Sequence, residues 1–104
     1  MGGIIGPIYG TQNATTVTAS SSATALAANP ARIAFSIQNC STNPLFIYFG
    51  SGASTSVYSY ILSACTAQDD GKGGMLSMEN GAVYNGLITI AGTSPRYSTV
   101  EIAP

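Results

Sequence analysis

The stretch "ARIAFSIQN" (31–39) decides the fold that this sequence predicts. Apolar side chains recur at every second position, at Ile33, Phe35 and Ile37, with small or polar residues between them. A period of two places alternate side chains on opposite faces, which is typical of a half-buried β-strand. The stretch therefore predicts a strand over residues 31–39 with one face in the core.

The next segment, "NPLFIYFG" (43–50), is apolar on both faces. It holds five consecutive apolar residues, Leu45 to Phe49, and no charge. Antiparallel sheets normally leave one face to water, so a strand apolar on both faces needs a cover on its outer side. We expect this cover to be the N-terminal part of the chain or a second subunit. Tyr48 suits an interface, because its hydroxyl group can bind a polar partner.

The rest of the chain reads as further short strands separated by turn signals about every ten residues. We predict strands at 15–20, 57–62, 82–92 and 97–102, with Tyr58 and Tyr60 on one face and a bend or bulge at Gly86. The segment "SSATALAAN" (21–29) stays open between helix and turn. The fold class is all-β: a small antiparallel β-sandwich or jelly-roll-like barrel of six to seven strands. The predicted buried residues are Ile33, Phe35, Ile37, Ile47, Ile61, Ile88 and Val100.

The first 31 residues carry no charge, since Arg32 is the first charged residue of the 104. We divide the chain into an uncharged N-terminal arm, residues 1–14, and a single β-sandwich domain, residues 15–104. The arm holds apolar residues that need cover, so it docks on its own domain or on a neighbour; a terminus that packs nowhere is the alternative. The predicted interface residues are Ile4, Ile5, Ile8 and Tyr9 in the arm and Phe46, Tyr48, Tyr58 and Tyr60 in the domain.

Only 7% of the residues are charged, whereas ordinary soluble domains have about 25%. A weakly charged surface offers little self-repulsion and favours association. We therefore expect a subunit that packs against neighbours; a monomer with a Ser/Thr surface is the alternative. Three separated cations form no patch for a phosphate backbone, so we expect no nucleic-acid partner. No apolar run approaches the roughly 20 residues that span a bilayer, so we expect no membrane contact.

The sequence offers no catalytic site. The absence of histidine excludes Ser-His-Asp and Cys-His arrangements. Asp69 and Asp70 are adjacent, so their side chains point apart on an extended loop, and "QDDGKGG" lacks the ligand spacing of a calcium loop. We predict a protein that is not an enzyme and needs no cofactor or metal. The start "MGGIIGPIYG" lacks the basic residues of a secretory signal, so we expect synthesis in a cytoplasm with Cys40 and Cys65 reduced.

The segment "ALAANPARIAFSIQNCSTNPLFIYFG" (25–50) resembles a pattern found in small virion-associated proteins of tailed bacteriophages. An apolar segment leads to Asn-Pro and Arg, then to a strand ending in Ile-Gln-Asn, a turn, and a strand ending in Phe-Gly. The matching residues are Asn29, Pro30, Arg32, Ile37, Gln38, Asn39, Phe49 and Gly50.

The resemblance implies a small β-sandwich that decorates heads or forms part of tails and fibres. The expected function is that of a capsid decoration or cement subunit, located on the virion and bridging the major capsid protein or other virion proteins as a homo-oligomer. The alternative is a tail or fibre component that binds a receptor or glycan. Apart from the resemblance, five tyrosines could form a platform for sugars, although their positions within strand patterns favour packing in the core or at an interface: Tyr48, Tyr58, Tyr60, Tyr84 and Tyr97.

The physical roles that we expect for the matched residues are structural. Pro30 fixes the direction of the chain into the strand, and Asn29 suits the turn before it. Arg32 has a fork of donors that can bind loop carbonyls or a carboxylate. Asn39, at the strand end, can bond the backbone of the following turn.

Overall fold

The computed structural model describes residues 10–79 and 81–104, and these residues form β-strands without any helix. The eight strands are β1 (Thr11–Thr18), β2 (Ser22–Leu26), β3 (Ala34–Asn39), β4 (Leu45–Tyr48), β5 (Tyr60–Leu62), β6 (Met75–Met78), β7 (Ile88–Ala91) and β8 (Arg96–Ala103). The predicted all-β class is confirmed. It follows that no helix of the described residues could span a membrane.

The strands form two four-stranded antiparallel sheets. Sheet A has the order β1-β8-β3-β6 and sheet B the order β2-β7-β4-β5. The pairing is nested, because β1 pairs with β8, β2 with β7, β3 with β6 and β4 with β5. This nesting is that of a long hairpin rolled into two facing sheets, the jelly-roll arrangement. The sandwich is confirmed, with eight strands where the sequence predicts six or seven.

The core lies between the sheets and is filled by the alternate side chains that the period of two predicts. In β3, Phe35 and Ile37 are buried while Ser36 and Gln38 are half-buried on the outer side. The buried apolar cluster consists of Phe35, Ile37, Leu45, Ile47, Leu62, Ile88, Ile90 and Tyr97. Four of the predicted core residues are thereby confirmed: Phe35, Ile37, Ile47 and Ile88.

The other three predicted core residues lie elsewhere. Ile61 is 50% exposed, because the register of β5 places Leu62 opposite Leu45 and so turns Leu62 to the core. Val100 is half-buried, opposite Ala14 and Ser36 on the outer face of sheet A. Ile33 is half-buried and lies just before β3 begins.

The chain joins the sandwich earlier than the sequence predicts. β1 begins at Thr11 and pairs with β8 over its full length. Residues 11–14, which the sequence places in the arm, therefore belong to sheet A. The predicted arm residues Ile4, Ile5, Ile8 and Tyr9 lie outside the described residues.

Candidate interaction surface

Charge is distributed unequally between the two sheets. The charged residues lie in sheet A, beside its strands, or in the loop that leads into β6; they are Arg32, Asp69, Asp70, Lys72, Glu79, Arg96 and Glu101. The strands of sheet B and the connection from β4 to β5 (residues 49–59) contain none. Sheet B therefore has a neutral outer face.

The connection over residues 49–59 covers part of this outer face. The register of β4 with β7 places Phe46 opposite Ala91 and Tyr48 opposite Thr89 on the outer side. The Ala53 amide donates to Thr89 Oγ1 at 3.1 Å, and this hydroxyl donates to the Gly50 carbonyl at 2.7 Å. A segment of the same chain thus provides some of the cover that "LFIYF" requires.

At the end of this connection and on the neighbouring strands, apolar side chains reach solvent. Phe46 packs edge-on against Tyr58, with ring centroids 5.2 Å apart. Ile61 lies opposite Phe46 on the same face of the sheet. Val57 and Tyr58 are each 44% exposed. We call Phe46, Val57, Tyr58 and Ile61 the apolar patch. Large apolar side chains grouped at a surface are typical of contact sites.

Tyr60 lies apart from this patch, so the prediction that Tyr58 and Tyr60 share a face is wrong. The Ser59 amide donates to the Ile47 carbonyl at 2.6 Å, while Tyr60 is the paired residue opposite Ile47. Ser59 and Tyr60 thus both lie opposite Ile47, as in a β-bulge, and side chains no longer alternate between the two faces at this point. Tyr60 packs instead beside Phe49, at 5.5 Å between ring centroids.

Of the predicted interface residues in the domain, the structure brings Phe46 and Tyr58 into contact and places Tyr48 on the same outer side of β4. Sequence reasoning missed Val57 and Ile61. Ile61 was missed because the sequence places it in the core. Whether these residues form an interface stays a prediction.

Arg32 is fully buried and joins three parts of the chain. Its Nε donates to Glu101 Oε2 at 2.8 Å, and its two terminal nitrogens donate to the carbonyls of Tyr84, Gly86 and Ala27. Its guanidinium also lies 5.6 Å from the centre of the Phe35 ring. The predicted binding of loop carbonyls and a carboxylate is confirmed. Arg32 is a structural link between β8 of sheet A and the segments that flank β2 and β7 of sheet B.

Asn39 makes a second link at the opposite end of β3. Its side-chain amide donates to the carbonyls of Asn43, Leu62 and Ser63 at 2.8–3.3 Å. Its Oδ1 accepts from the amide and the hydroxyl of Ser41. The predicted bond to the following turn is confirmed, and a side chain of sheet A also holds the end of β5 in sheet B.

Asp69 and Asp70 have separate structural contacts, as the sequence predicts for adjacent loop residues. Arg96 Nε donates to Asp69 Oδ1 at 2.8 Å and lowers the pKa of that carboxyl. The backbone amides of Lys72 and Ala67 donate to Asp70 and lower its pKa as well. These contacts shape the loop and place neither carboxylate as a free acid or base.

Both cysteines are free thiols in the structure. Cys65 is buried and its thiol donates to the Asn39 carbonyl at 3.3 Å, whereas Cys40 is half-buried. Burial and the nearby Asp70 carboxylate raise the pKa of the Cys65 thiol. Among residues 10–79 and 81–104, no three side chains of the metal-binding types cluster together.

Comparison with known proteins gives no relative from which a function could be taken. The chain matches no protein-family model, and the searches of curated proteins and of solved structures returned no match. The functional reasoning therefore depends on the geometry described above.

Proposed function

We propose that this chain is a non-enzymatic virion protein, a capsid decoration or cement subunit that attaches through the outer face of sheet B. The observation that carries the proposal is the apolar patch on an uncharged sheet. The proposed partners are the major capsid protein or neighbouring virion proteins. A fold alone does not fix a function, so the jelly-roll topology serves only as a compatible frame.

The charged residues support a structural role. Arg32 and Glu101 bind each other, as do Arg96 and Asp69, and Asp70 is held by backbone amides. Catalytic carboxylates and bases need room to exchange protons with a substrate. Here these groups bind the protein itself, which favours attachment over chemistry.

Attachment through the apolar patch has a physical signature. Burying a large apolar side chain stabilises an assembly by roughly 1.5–3 kcal/mol. Screening by salt acts only on charges, so attachment through an uncharged face depends weakly on ionic strength. The expected behaviour is retention on particles at both low and high salt.

The test compares substitutions of exposed apolar residues inside and outside the apolar patch. Tyr58→Ser with Ile61→Ser removes two of the three exposed side chains of the patch, whereas Met75→Ser changes a 61% exposed residue of sheet A. The variants are incubated with particles that lack the protein, and the bound fraction is measured at low and high salt. We expect the patch variant to lose binding and the Met75 variant to bind like the unaltered chain, with similar melting of all three free proteins.

Two outcomes would contradict the proposal. Unchanged binding of the patch variant would show that attachment uses another surface. Release by moderate salt alone would show that charge holds the protein in place.

Copy number per particle decides between capsid and tail: hundreds of copies fit a coat, and a few to a few tens fit the alternative tail or fibre component.

A further inference from the structure

The strand β1 differs from the other three edge strands of the sandwich. β5 and β6 have three and four residues, and β2 has a break in register between Thr24 and Leu26. β1 runs for eight residues and pairs with β8 without any shift. It is the longest edge strand in the described part of the chain.

β1 also lacks the features that normally protect a sheet edge. Its sequence, "TQNATTVT", contains no charged residue, no proline and no glycine. All of its residues except Val17 are exposed. Within residues 10–79 and 81–104, no strand pairs with its outer edge. A long, uncharged and regular edge is a template for the addition of another strand.

The ladder with β8 shows which backbone groups of β1 point away from the sheet. Just beyond the strand, the Ala19 amide donates to the Pro95 carbonyl at 2.8 Å. On the other side of β8, the Cys40 amide donates to the Arg96 carbonyl, so the groups of Arg96 point to β3. Hydrogen-bonded positions alternate along an antiparallel pair. The residues that bond to β8 are therefore Thr11, Asn13, Thr15 and Val17, and those that point to the outer edge are Gln12, Ala14, Thr16 and Thr18.

We infer that the outer edge of β1 binds the β1 of a second copy of this chain, antiparallel and across a two-fold axis at Thr15. In this register Gln12 lies opposite Thr18 and Ala14 lies opposite Thr16. Every residue that points to the outer edge then pairs with another such residue. A two-fold axis between the two copies of Thr15 also places opposing side chains on the same face of the sheet, as a continuous sheet requires. Sheet A continues into sheet A of the partner.

The side chains and the space around β1 fit this pairing. Thr15 meets its own copy, and hydroxyl-bearing pairs across strands are favourable. β1 contains no charged residue, so no like charges repel each other across the pair. β2, the facing strand of sheet B, contacts β8, and a groove of about 450 Å³ runs beneath β1 between the sheets. Among the described residues, β1 pairs with no strand other than β8, so a second copy can approach its outer edge. A foreign strand would use the same backbone groups, but the matching register favours the chain itself.

This inference concerns the free protein and is independent of the virion assignment. The first measurement is the molar mass over a concentration series, followed by residue-resolved amide hydrogen exchange at the two extremes. We expect the mass to rise from 10.5 kDa to twice that value. Protection of the Gln12, Ala14, Thr16 and Thr18 amides is expected to rise at least tenfold with concentration. The amides that bond to β8 stay protected throughout.

The second measurement uses Thr16→Pro with Thr16→Val as its matched control. Proline removes an amide that points away from β8, so the ladder within the chain stays intact. Valine keeps the shape and the amide. We expect Thr16→Pro to remain monomeric at every concentration and Thr16→Val to associate like the unaltered chain. If Thr16→Pro fails to fold, the exchange pattern of the unaltered chain decides.

Three results would overturn the inference. The first is a monomer at every concentration with rapid exchange at the four outward-pointing residues. The second is a monomer in which these amides are protected regardless of concentration, which would show that the chain covers its own edge. The third is a dimer that Thr16→Pro leaves intact, which would place self-association on another surface. Particle binding by a strictly monomeric protein would refute the inference while leaving the proposed function in place.

Discussion

Sheet A and sheet B contribute different chemistry to the same sandwich. Sheet A and its loops contain the charged residues and the two buried polar side chains that link the sheets, Arg32 and Asn39. Sheet B and its neighbouring segments supply backbone carbonyls to these links, and sheet B presents apolar side chains to solvent. The polar side chains of Arg32 and Asn39 are directed inward, whereas a part of the apolar surface is directed outward.

The difference between the sheets shows that the type of a residue does not by itself reveal its role. An arginine or an aspartate is often taken as a sign of a binding or catalytic site, yet Arg32 and Asp70 bind the chain itself. The surface that we propose for attachment consists of side chains that usually fill cores. A buried polar group must find a hydrogen-bond partner. An exposed apolar side chain stays in unfavourable contact with water unless another surface covers it.

The largest expected effect comes from breaking the Arg32 link. Arg32→Met leaves Glu101 without its partner and three backbone carbonyls without a donor. Removing one member of a buried ion pair costs about 3–5 kcal/mol of unfolding free energy. The control is Arg96→Met, because the Arg96–Asp69 pair is partly exposed and such pairs contribute about 0–1 kcal/mol. Urea unfolding measures both, and equal losses would show that Arg32 is no more structural than a surface arginine.

The regular strands could be predicted from the sequence because burial on one face leaves a period of two. Ala34–Asn39 shows it clearly, with alternating burial along the whole strand, and β8 shows it over its first four residues. β2 was left open because its alanines favour a helix and lose this preference only through pairing with β7. β6 was missed because "MLSM" is short, lacks β-branched residues and follows a glycine-rich loop.

The candidate surface was harder to predict than the fold. Phe46 was placed correctly because its strand is regular, with Leu45 and Ile47 buried on the other face. Ile61 and Tyr60 were misplaced because the irregularity at Ser59 shifts every later side chain of the strand by one position. The types of group that Arg32 binds were predictable from its guanidinium. The identity of its partners was not, because they lie up to 69 residues away along the chain and depend on the topology.

A smaller effect is expected at the second link between the sheets. Asn39→Ala removes the donor for three carbonyls and the acceptor for Ser41. Leaving buried polar groups without a partner costs about 1–3 kcal/mol. The matched control is the adjacent Gln38→Ala, whose side chain makes one 3.4 Å contact with Gly71, and surface changes of this kind stay within about 0.5 kcal/mol. Thermal unfolding of the two variants gives the comparison, and a loss as small as that of Gln38→Ala would show that Asn39 does not join the sheets.

The smallest effect concerns the two thiols, which differ in burial. The pKa of Cys65 is raised by burial, and its thiol donates to the backbone of Asn39, so it is expected to react slowly in the folded protein. Cys40 is half-buried and is expected to react first. A chromogenic thiol reagent applied to Cys40→Ser and Cys65→Ser measures each rate separately. Equal rates would remove the distinction, and the absence of free thiol after unfolding without reductant would reveal a disulfide.

The raised pKa of Cys65 also predicts a loss of stability in alkaline solution. The unfolded chain releases the thiol proton above the ordinary pKa of 9.0, whereas the folded chain retains it to a higher pH. The stabilisation is therefore complete below pH 9 and is lost as the pH rises toward the pKa of the folded state. Tyr97, which is also buried, has a pKa raised above its ordinary value of 10.0, so the thiol is best observed between pH 9 and 10. In this window the unfolding free energy of the unaltered chain is expected to fall with pH and that of Cys65→Ser to stay level. A parallel decline in both proteins would show that the Cys65 thiol is not the group that ionises.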